Sequence, residues 1–199
     1  MNPTKIEKIE TILWSQWLLI KIHCEDGTVG IGEAGVHGWQ RPTETMIKTM
    51  EPYLLGKDPS KIEHHFQFLS RNSHFMGSVV NAALSAIDIA LWDIKGKRLG
   101  VPIWELMGGK TRDRVRCYIH VVGDKTEELA ANAAAAVKEG FTAVRFPAFQ
   151  HDYPSFHTYT EWADNAVERV GAVREAVGRS ADLCVEIHRQ MNPAESIWL

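Results

Sequence analysis

Hydrophobic residues in the first part of the chain recur with the pattern of β-strands. The run 17–24 is rich in β-branched and aromatic residues and predicts a strand. The pair 26–27, Asp-Gly, then predicts a turn, and residues 28–33 return as a partner strand. Residues 5–12, with isoleucine at every third position, predict a third and less regular strand.

The hydrophobic pattern then changes to that of α-helices. Residues 43–55 and 62–69 each predict a helix. The strongest pattern is an apolar stripe at helical spacing, formed by Val80, Ala83, Leu84, Ile87, Leu91 and Ile94. Gly30 and Gly32 alternate on one strand face, so we expect another backbone or a bulky group to pack closely there. Residues 1–113 are predicted to form an α+β domain.

From residue 115 onward, strands and helices alternate. Strands are predicted at 117–122, 143–146 and 182–187, with helices at 126–139 and 161–177. This alternation predicts a parallel sheet, either doubly wound or the opening of a (β/α)8 barrel, within a second domain at 114–199. In both architectures, ligands bind at the carboxyl ends of the strands.

A carboxylate and an imidazole stand at the end of the third of these strands. Side chains two residues apart in a strand share a face, so Glu186 and His188 are predicted to project together. A carboxylate oxygen suits a hard cation such as Mg²⁺, and an imidazole moves protons near neutral pH. The alternative is a strand end whose polar residues only meet solvent. His120 and Arg145 lie near the ends of the other two strands, which favours a shared site.

Charge and cysteine content exclude several classes of protein. The 199 residues carry 22 Lys and Arg against 25 Asp and Glu with no basic run, so no nucleic-acid partner is expected. Three cysteines without a CxxC pair fit reduced thiols and a cytoplasmic protein. No apolar signal core and no run long enough to span a bilayer are present, so we expect no membrane association.

Two stretches of the first domain resemble a known family. Residues 82–97 (AALSAIDIALWDIKGK) and 100–109 (GVPIWELMGG), together with the strand at 29–33, resemble the enolase superfamily, in particular its mandelate racemase and muconate lactonizing branch. The resemblance implies an α+β capping domain over a (β/α)8 TIM barrel. It also implies Mg²⁺ held by carboxylates at successive strand ends and removal of a proton next to a substrate carboxylate.

The third barrel strand is similar to that of galactonate- and mannonate-type sugar-acid dehydratases. That resemblance makes Glu186 a metal ligand, where the family more often has Asp, and makes His188 the catalytic acid or base. On the second strand, the racemases have two lysines two residues apart, whereas this chain has Arg145 and Pro147. The resemblance therefore favours dehydration, with Arg145 as a catalytic arginine.

Substrate contacts are implied at four further positions, His37, Trp39, His120 and Arg189. The loop that carries His37 and Trp39 is expected to close over the substrate, although Trp39 packing against the barrel rim is an equal alternative. The catalytic tyrosine of mannonate-type enzymes has two candidate replacements, Tyr153 and Tyr159.

The function implied is Mg²⁺-dependent dehydration of a sugar acid to a 2-keto-3-deoxy acid. Only three barrel strands are predicted, so we expect this chain to be one half of such an enzyme, inactive by itself and part of a homo-oligomer when the enzyme is complete. Two alternatives are a racemase or epimerase of the same branch, and a non-catalytic relative that binds a sugar acid or has a regulatory role.

Overall fold

A computed structural model of the chain describes residues 3–149 and 158–198, except for the side chain of residue 198. It divides the chain into two compact units, Met1–Thr111 and Arg112–Leu199, which we call the capping unit and the barrel unit. In the described part of the chain, no helix combines the length and apolar character needed to cross a membrane.

The capping unit is an antiparallel sheet with helices. Its elements in chain order are β1 Ile6–Trp14, β2 Trp17–Cys24, β3 Val29–Glu33, α1 Gln40–Leu54, α2 Ile62–Asn72, α3 Ser78–Leu99 and α4 Ile103–Leu106. The strand order is β1-β2-β3. A shift in the β1–β2 register between Ile6 and Lys8 allows Ile6 and Ile9 to share the buried face, because a bulge changes which residues share a face.

Strand β3 lies directly against α3, as the alternating glycines predicted. A Cβ atom on Gly32 would lie 2.0 Å from the carbonyl oxygen of Ala86, and one on Gly30 would lie 2.1 Å from that of Ala90. Polar contacts fix the same approach, since the amide of Ile31 donates to Asp93 Oδ2 at 2.9 Å. The glycine strand and the backbone of α3 at Ala86 and Ala90 therefore form one interface that leaves no room for a side chain.

The barrel unit has the predicted alternation of strands and helices. Its elements are β4 Ile119–His120, α5 Thr126–Lys138, β5 Ala143–Pro147, α6 Tyr159–Val177, β6 Asp182–Glu186 and α7 Pro193–Trp198. The three strands are parallel in the order β4-β5-β6, which confirms the predicted parallel sheet. Strand β4 has two residues where six were predicted at 117–122, and β6 ends at Glu186.

One face of this sheet carries the core of the barrel unit. Val144 and Phe146 of β5 are fully buried and cluster with residues of α5 and α6, among them Leu129, Ala133 and Val173. Because successive strand residues point to opposite faces, the neighbours Arg145 and Pro147 lie on the face away from these helices. That second face holds the polar residues at the strand ends.

His65 is a buried polar residue that anchors α2 in the capping unit. It is 2 % exposed, and its Nε2 lies 2.8 Å from the carbonyl oxygen of Asp58. A carbonyl only accepts, so Nε2 carries the proton and Nδ1 accepts from the Tyr53 hydroxyl at 3.1 Å. Burial lowers the pKa of His65, so the folded protein holds it neutral.

We predict that Gly32→Ala destabilises the chain by about 2 kcal/mol or more, because the new methyl group overlaps the backbone of α3. Urea unfolding followed by circular dichroism measures the loss. Gly77→Ala is the matched control, since a Cβ atom there meets no atom within 4 Å. Equal stability of the two variants would contradict the close approach.

We also predict that stability falls with acidification in a manner that depends on His65. The unfolded chain binds a proton near pH 6.5, and the folded chain resists it, so stability is lost as the pH falls through that value. His65→Gln should flatten the pH dependence of the unfolding free energy between about pH 7.5 and pH 5.5. His74→Gln, which changes an exposed histidine between α2 and α3, should not; an unchanged slope in His65→Gln contradicts the prediction.

Candidate active site at the ends of the parallel strands

The sheet register brings three of the predicted site residues onto one face. His120 of β4 lies opposite Arg145 of β5, and Pro147 lies opposite Glu186 of β6. Since Arg145 and Pro147 are two residues apart, they share a face, and their cross-strand partners point the same way. His120, Arg145 and Glu186 therefore follow one another across the carboxyl ends of the strands.

An ion pair joins the second and third strands on this face. Nη2 of Arg145 contacts Oε2 of Glu186, and the two side chains are 28 % and 25 % exposed. The second oxygen, Oε1, accepts a hydrogen bond from the backbone amide of His188 at 2.8 Å. Both carboxylate oxygens of Glu186 are therefore engaged, one by a side chain and one by the main chain.

His188 does not continue the strand, which corrects the expectation that Glu186 and His188 share a strand face. Strand β6 ends at Glu186, and His188 and Arg189 have φ angles of +45° and +62°. The turn is closed by the amide of Gln190, which donates to the carbonyl of Ile187 at 2.9 Å. Left-handed backbone is unfavourable for residues with side chains, and the Glu186 carboxylate stabilises it here by accepting from His188 N.

The side chains of this turn are open to solvent. His188 and Arg189 are both exposed, and so is His120 at the end of β4. An imidazole in this position is available to a substrate at the strand ends, but its direction is set by the turn and not by the alternation of a strand. The contact between His188 and Glu186 is made by the backbone amide of His188 and not by its imidazole.

Other predicted residues have different surroundings. His37 and Trp39 are exposed residues of the capping unit, in the segment between β3 and α1. The hydroxyl of Tyr159 donates to the carbonyl of Glu195 at 2.7 Å, which ties the start of α6 to the first turn of α7 and gives this tyrosine a structural contact. Tyr153 lies outside the described residues.

The described residues supply at most part of a metal site. Among them, no group of three or more His, Cys, Asp and Glu side chains is placed to hold an ion. Glu186 has the hard oxygen donors that Mg²⁺ prefers, but the ion needs several such ligands. Glu186 fits as one ligand, and a cation there would compete with Arg145 for its carboxylate.

The Arg145–Glu186 ion pair is the feature of this site that the sequence interpretation missed. The resemblance makes Arg145 a catalytic residue and Glu186 a metal ligand, and neither role predicts a contact between them. The signal was present, because residues of opposite charge end two neighbouring parallel strands. The sequence does not reveal the register of the two strands, which places Pro147 opposite Glu186 and so brings Arg145 and Glu186 onto one face.

Two family models match the chain. Residues 1–108 match the model of the mandelate racemase / muconate lactonizing enzyme N-terminal domain, and residues 128–199 match the enolase C-terminal domain-like model. The first match lies in the capping unit and the second in the barrel unit, and residues 109–127 lie outside both. The predicted fold class, an α+β capping domain followed by the start of a (β/α)8 barrel, is confirmed.

Curated relatives extend the comparison to named enzymes. The chain is 34% identical over 190 residues to a D-galactonate dehydratase of Pectobacterium atrosepticum, covering 94% of this chain and 49% of that protein. It is 33% identical over 180 residues to a D-galactonate dehydratase of Verminephrobacter eiseniae, covering 90% and 47%. The chain therefore spans about half the length of the curated relatives it matches.

Solved structures show the same relationship. A member of the enolase superfamily from Salmonella Typhimurium matches with a TM-score of 0.89 at 27% identity, over 98% of this chain and 57% of that one. An enolase from Pantoea ananatis with D-gluconate and magnesium bound matches with a TM-score of 0.87 at 28% identity, over 98% and 56%. The two structures therefore resemble this chain to a similar degree, each over 98% of its length.

We predict a measurable coupling between Arg145 and Glu186. In a double-mutant cycle with Arg145→Gln and Glu186→Gln, the coupling energy should be about 1 kcal/mol, because the pair is three-quarters buried and the carboxylate also accepts from the main chain. Urea unfolding measures it. The control cycle uses the exposed pair Arg116–Asp182, whose side chains are 59 % and 68 % exposed, expected below about 0.5 kcal/mol; no difference between the cycles contradicts the prediction.

Proposed function

Because the chain belongs to the mandelate racemase / muconate lactonizing enzyme family, we propose that it supplies part of the active site of a sugar-acid dehydratase. The reaction would remove water from an aldonate and give a 2-keto-3-deoxy acid. The observation that carries the proposal is the identity of 33–34% with D-galactonate dehydratases along at least 90% of this chain. The whole reaction also requires groups from the half of those proteins that this chain does not match.

The strand ends support a site for an anionic substrate. Arg145 offers a guanidinium whose planar N–H groups suit a carboxylate, the group common to all aldonates. In the structure that guanidinium is satisfied by Glu186. A substrate carboxylate would compete for it, so Arg145 is proposed to bind and orient the acid end of the substrate.

Glu186 is proposed as one ligand of Mg²⁺. When bound, the ion would neutralise the charge that develops on the substrate carboxylate as the α-proton leaves. Glu186 would then bind the cation in place of Arg145. The released guanidinium of Arg145 would face the carboxylate of the substrate. The remaining ligands are expected from the half of the relatives that this chain does not match, since the described residues form no group of three or more His, Cys, Asp and Glu side chains that could hold an ion.

His188 is proposed as the acid that assists departure of the hydroxyl. A base from the half of the relatives' fold that this chain does not match would take the proton at the α-carbon, whose electron pair forms an enediolate, and expulsion of the β-hydroxyl then breaks the C–O bond. The imidazolium of His188 donates its proton to that hydroxyl, which leaves as water, and the resulting enol tautomerises to the keto acid. The exposed position of His188 beside Glu186 suits this role.

The second strand argues against racemisation. A racemase of this branch needs a lysine base at the end of this strand, and β5 ends in Arg145, Phe146 and Pro147. Arginine stays protonated at neutral pH and is a poor base, and proline has no ionisable group. We therefore propose dehydration over epimerisation, with His37, Trp39, His120 and Arg189 as further substrate contacts.

A cytoplasmic homo-oligomer remains the expected form of the complete enzyme.

We predict that a chimera of residues 1–199 with the unmatched half of the Pectobacterium D-galactonate dehydratase produces 2-keto-3-deoxy acid from an aldonate in the presence of Mg²⁺. The panel comprises D-galactonate, D-gluconate and D-mannonate, and keto-acid formation is the readout. His188→Asn in the chimera should lower kcat by at least about 100-fold, because the leaving group loses its acid. The chain of 199 residues alone should give no product.

His64→Asn is the matched control and should retain activity, because His64 is exposed on α2 of the other unit. A folded chimera that converts no member of the panel would remove the dehydratase proposal. Unchanged turnover in His188→Asn would remove His188 from the mechanism and leave the reaction itself standing.

A further inference from the structure

The turn after β4, residues 121–124, leads the chain from His120 into helix α5. The amide of Val121 donates to the carbonyl of Arg145 at 2.8 Å, which continues the pairing of β4 with β5. The side chain of Val121 is buried in the core of the barrel unit. Because side chains alternate along a strand, His120 faces the opposite side, which it shares with Arg145 and Glu186 and which we call the site face.

Helix α5 holds this turn through two of its side chains. Nδ2 of Asn132 donates to the carbonyl of Val122 at 2.7 Å. Oε2 of Glu128 accepts from the amide of Asp124 at 3.0 Å. The main chain on both sides of residue 123 is therefore attached to the helix that the turn leads into.

Gly123 lies directly against the first turn of α5. A Cβ atom at this position would lie 2.4 Å from the amide nitrogen of Leu129 and 2.7 Å from its Cα atom, so the approach requires glycine. The carbonyl of Gly123 accepts a hydrogen bond from Nη2 of Arg169 at 3.2 Å. This bond adds α6 to the elements that hold the turn.

Arg169 is an unfavourable residue for the stability of the fold. It lies in the middle of α6 and is 1 % exposed. Among the described residues, its Nε and Nη1 atoms have no hydrogen-bond partner. Burial disfavours the charged guanidinium and lowers its pKa. An apolar side chain of similar length would fill the same space without a buried charge, so packing alone does not account for an arginine here.

Arg174 of the same helix provides a comparison. Its Nη1 atom donates to the carbonyl of Gly178 at 2.6 Å and to that of Ala181 at 2.9 Å. Arg174 is exposed, so its charge stays in contact with solvent. Its bonds lie just before β6, at the end of the parallel sheet opposite to the turn 121–124. Both arginines thus bind main-chain carbonyls, but only Arg169 does so with its charge buried.

We infer that Arg169 is a positioning residue, which fixes the turn 121–124 and thereby the direction of His120 on the site face. This inference rests on the proposed function, in which His120 contacts the substrate. The guanidinium is too deeply buried to touch a substrate, so it acts through the carbonyl of Gly123. Site residues need such support, because a small displacement from the productive geometry weakens binding.

The first test is hydrogen exchange in Arg169→Met, which removes the donor and keeps an apolar side chain of similar length. The amides of Val121 and Asp124 should exchange at least about 10-fold faster than in the unchanged chain, because the turn opens more often. The amide of Asp182, at the start of β6, should keep its rate. Arg174→Met is the matched control and should give the reverse pattern. Urea unfolding of each variant is measured alongside.

The second test follows the imidazole itself. In the NMR spectrum, the ring signals of His120 should shift in Arg169→Met and keep their position in Arg174→Met, while those of His188 keep theirs in both variants. Arg169→Lys retains a buried donor on a similar stem and should keep part of the protection that Arg169→Met loses. A residue that only fills volume would show no such rescue.

The third test uses the chimera with the Pectobacterium half. Arg169→Met should raise KM for the aldonate at least about 10-fold and leave kcat within about threefold, because His120 is proposed to bind the substrate and His188 to transfer the proton. Arg174→Met should leave both constants unchanged.

Faster exchange confined to the turn 121–124, with a shifted His120 signal and partial rescue by lysine, supports the inference. Three results overturn it: a lower urea midpoint with faster exchange throughout the barrel unit, equal losses in the lysine and methionine variants, or unchanged His120 signals in Arg169→Met. A folded wild-type chimera that makes no keto acid counts against the proposed function, and exchange and NMR still decide whether Arg169 positions His120. An active chimera with an unchanged KM in Arg169→Met overturns the inference and leaves the reaction standing.

Discussion

The register between β5 and β6 is the constraint on which the chemistry at the strand ends depends. With Pro147 opposite Glu186, Arg145 and Glu186 lie on the same face and form their ion pair. A shift of one residue would turn Glu186 toward the helices, because side chains alternate between the two faces. Leu183 of the same strand opposes such a shift, since it packs against the core of the barrel unit and would move to the opposite face.

The fold follows from local patterns that the sequence displays openly. Alternation of strand and helix periods predicts the parallel sheet of the barrel unit, and the paired glycines of β3 predict its close contact with α3. Boundaries are less accessible, because they depend on partners. Strand β4 is shorter than its apolar run, since pairing with β5 extends over only Ile119 and His120. The bulge in β1 likewise depends on pairing with β2.

The candidate site was partly accessible in the same way. Residue types at the strand ends identified His120, Arg145 and Glu186, and the register then placed them on one face. The position of His188 was not accessible, because its left-handed backbone depends on a hydrogen bond to the side chain of Glu186. Strand periodicity places His188 beside Glu186 only if the strand continues, and β6 ends at Glu186. The roles of these residues in a reaction remain proposals.

The double engagement of Glu186 links two events that a list of site residues would treat as separate. One oxygen holds Arg145, and the other holds the main chain of the turn that carries His188. Any cation that moves this carboxylate also changes its hydrogen bond to the amide of His188. The orientation of the His188 imidazole would change with it. Binding of the ion and the position of the proton donor would then both depend on the Glu186 carboxylate. A mutation at Glu186 that changes one would therefore change the other.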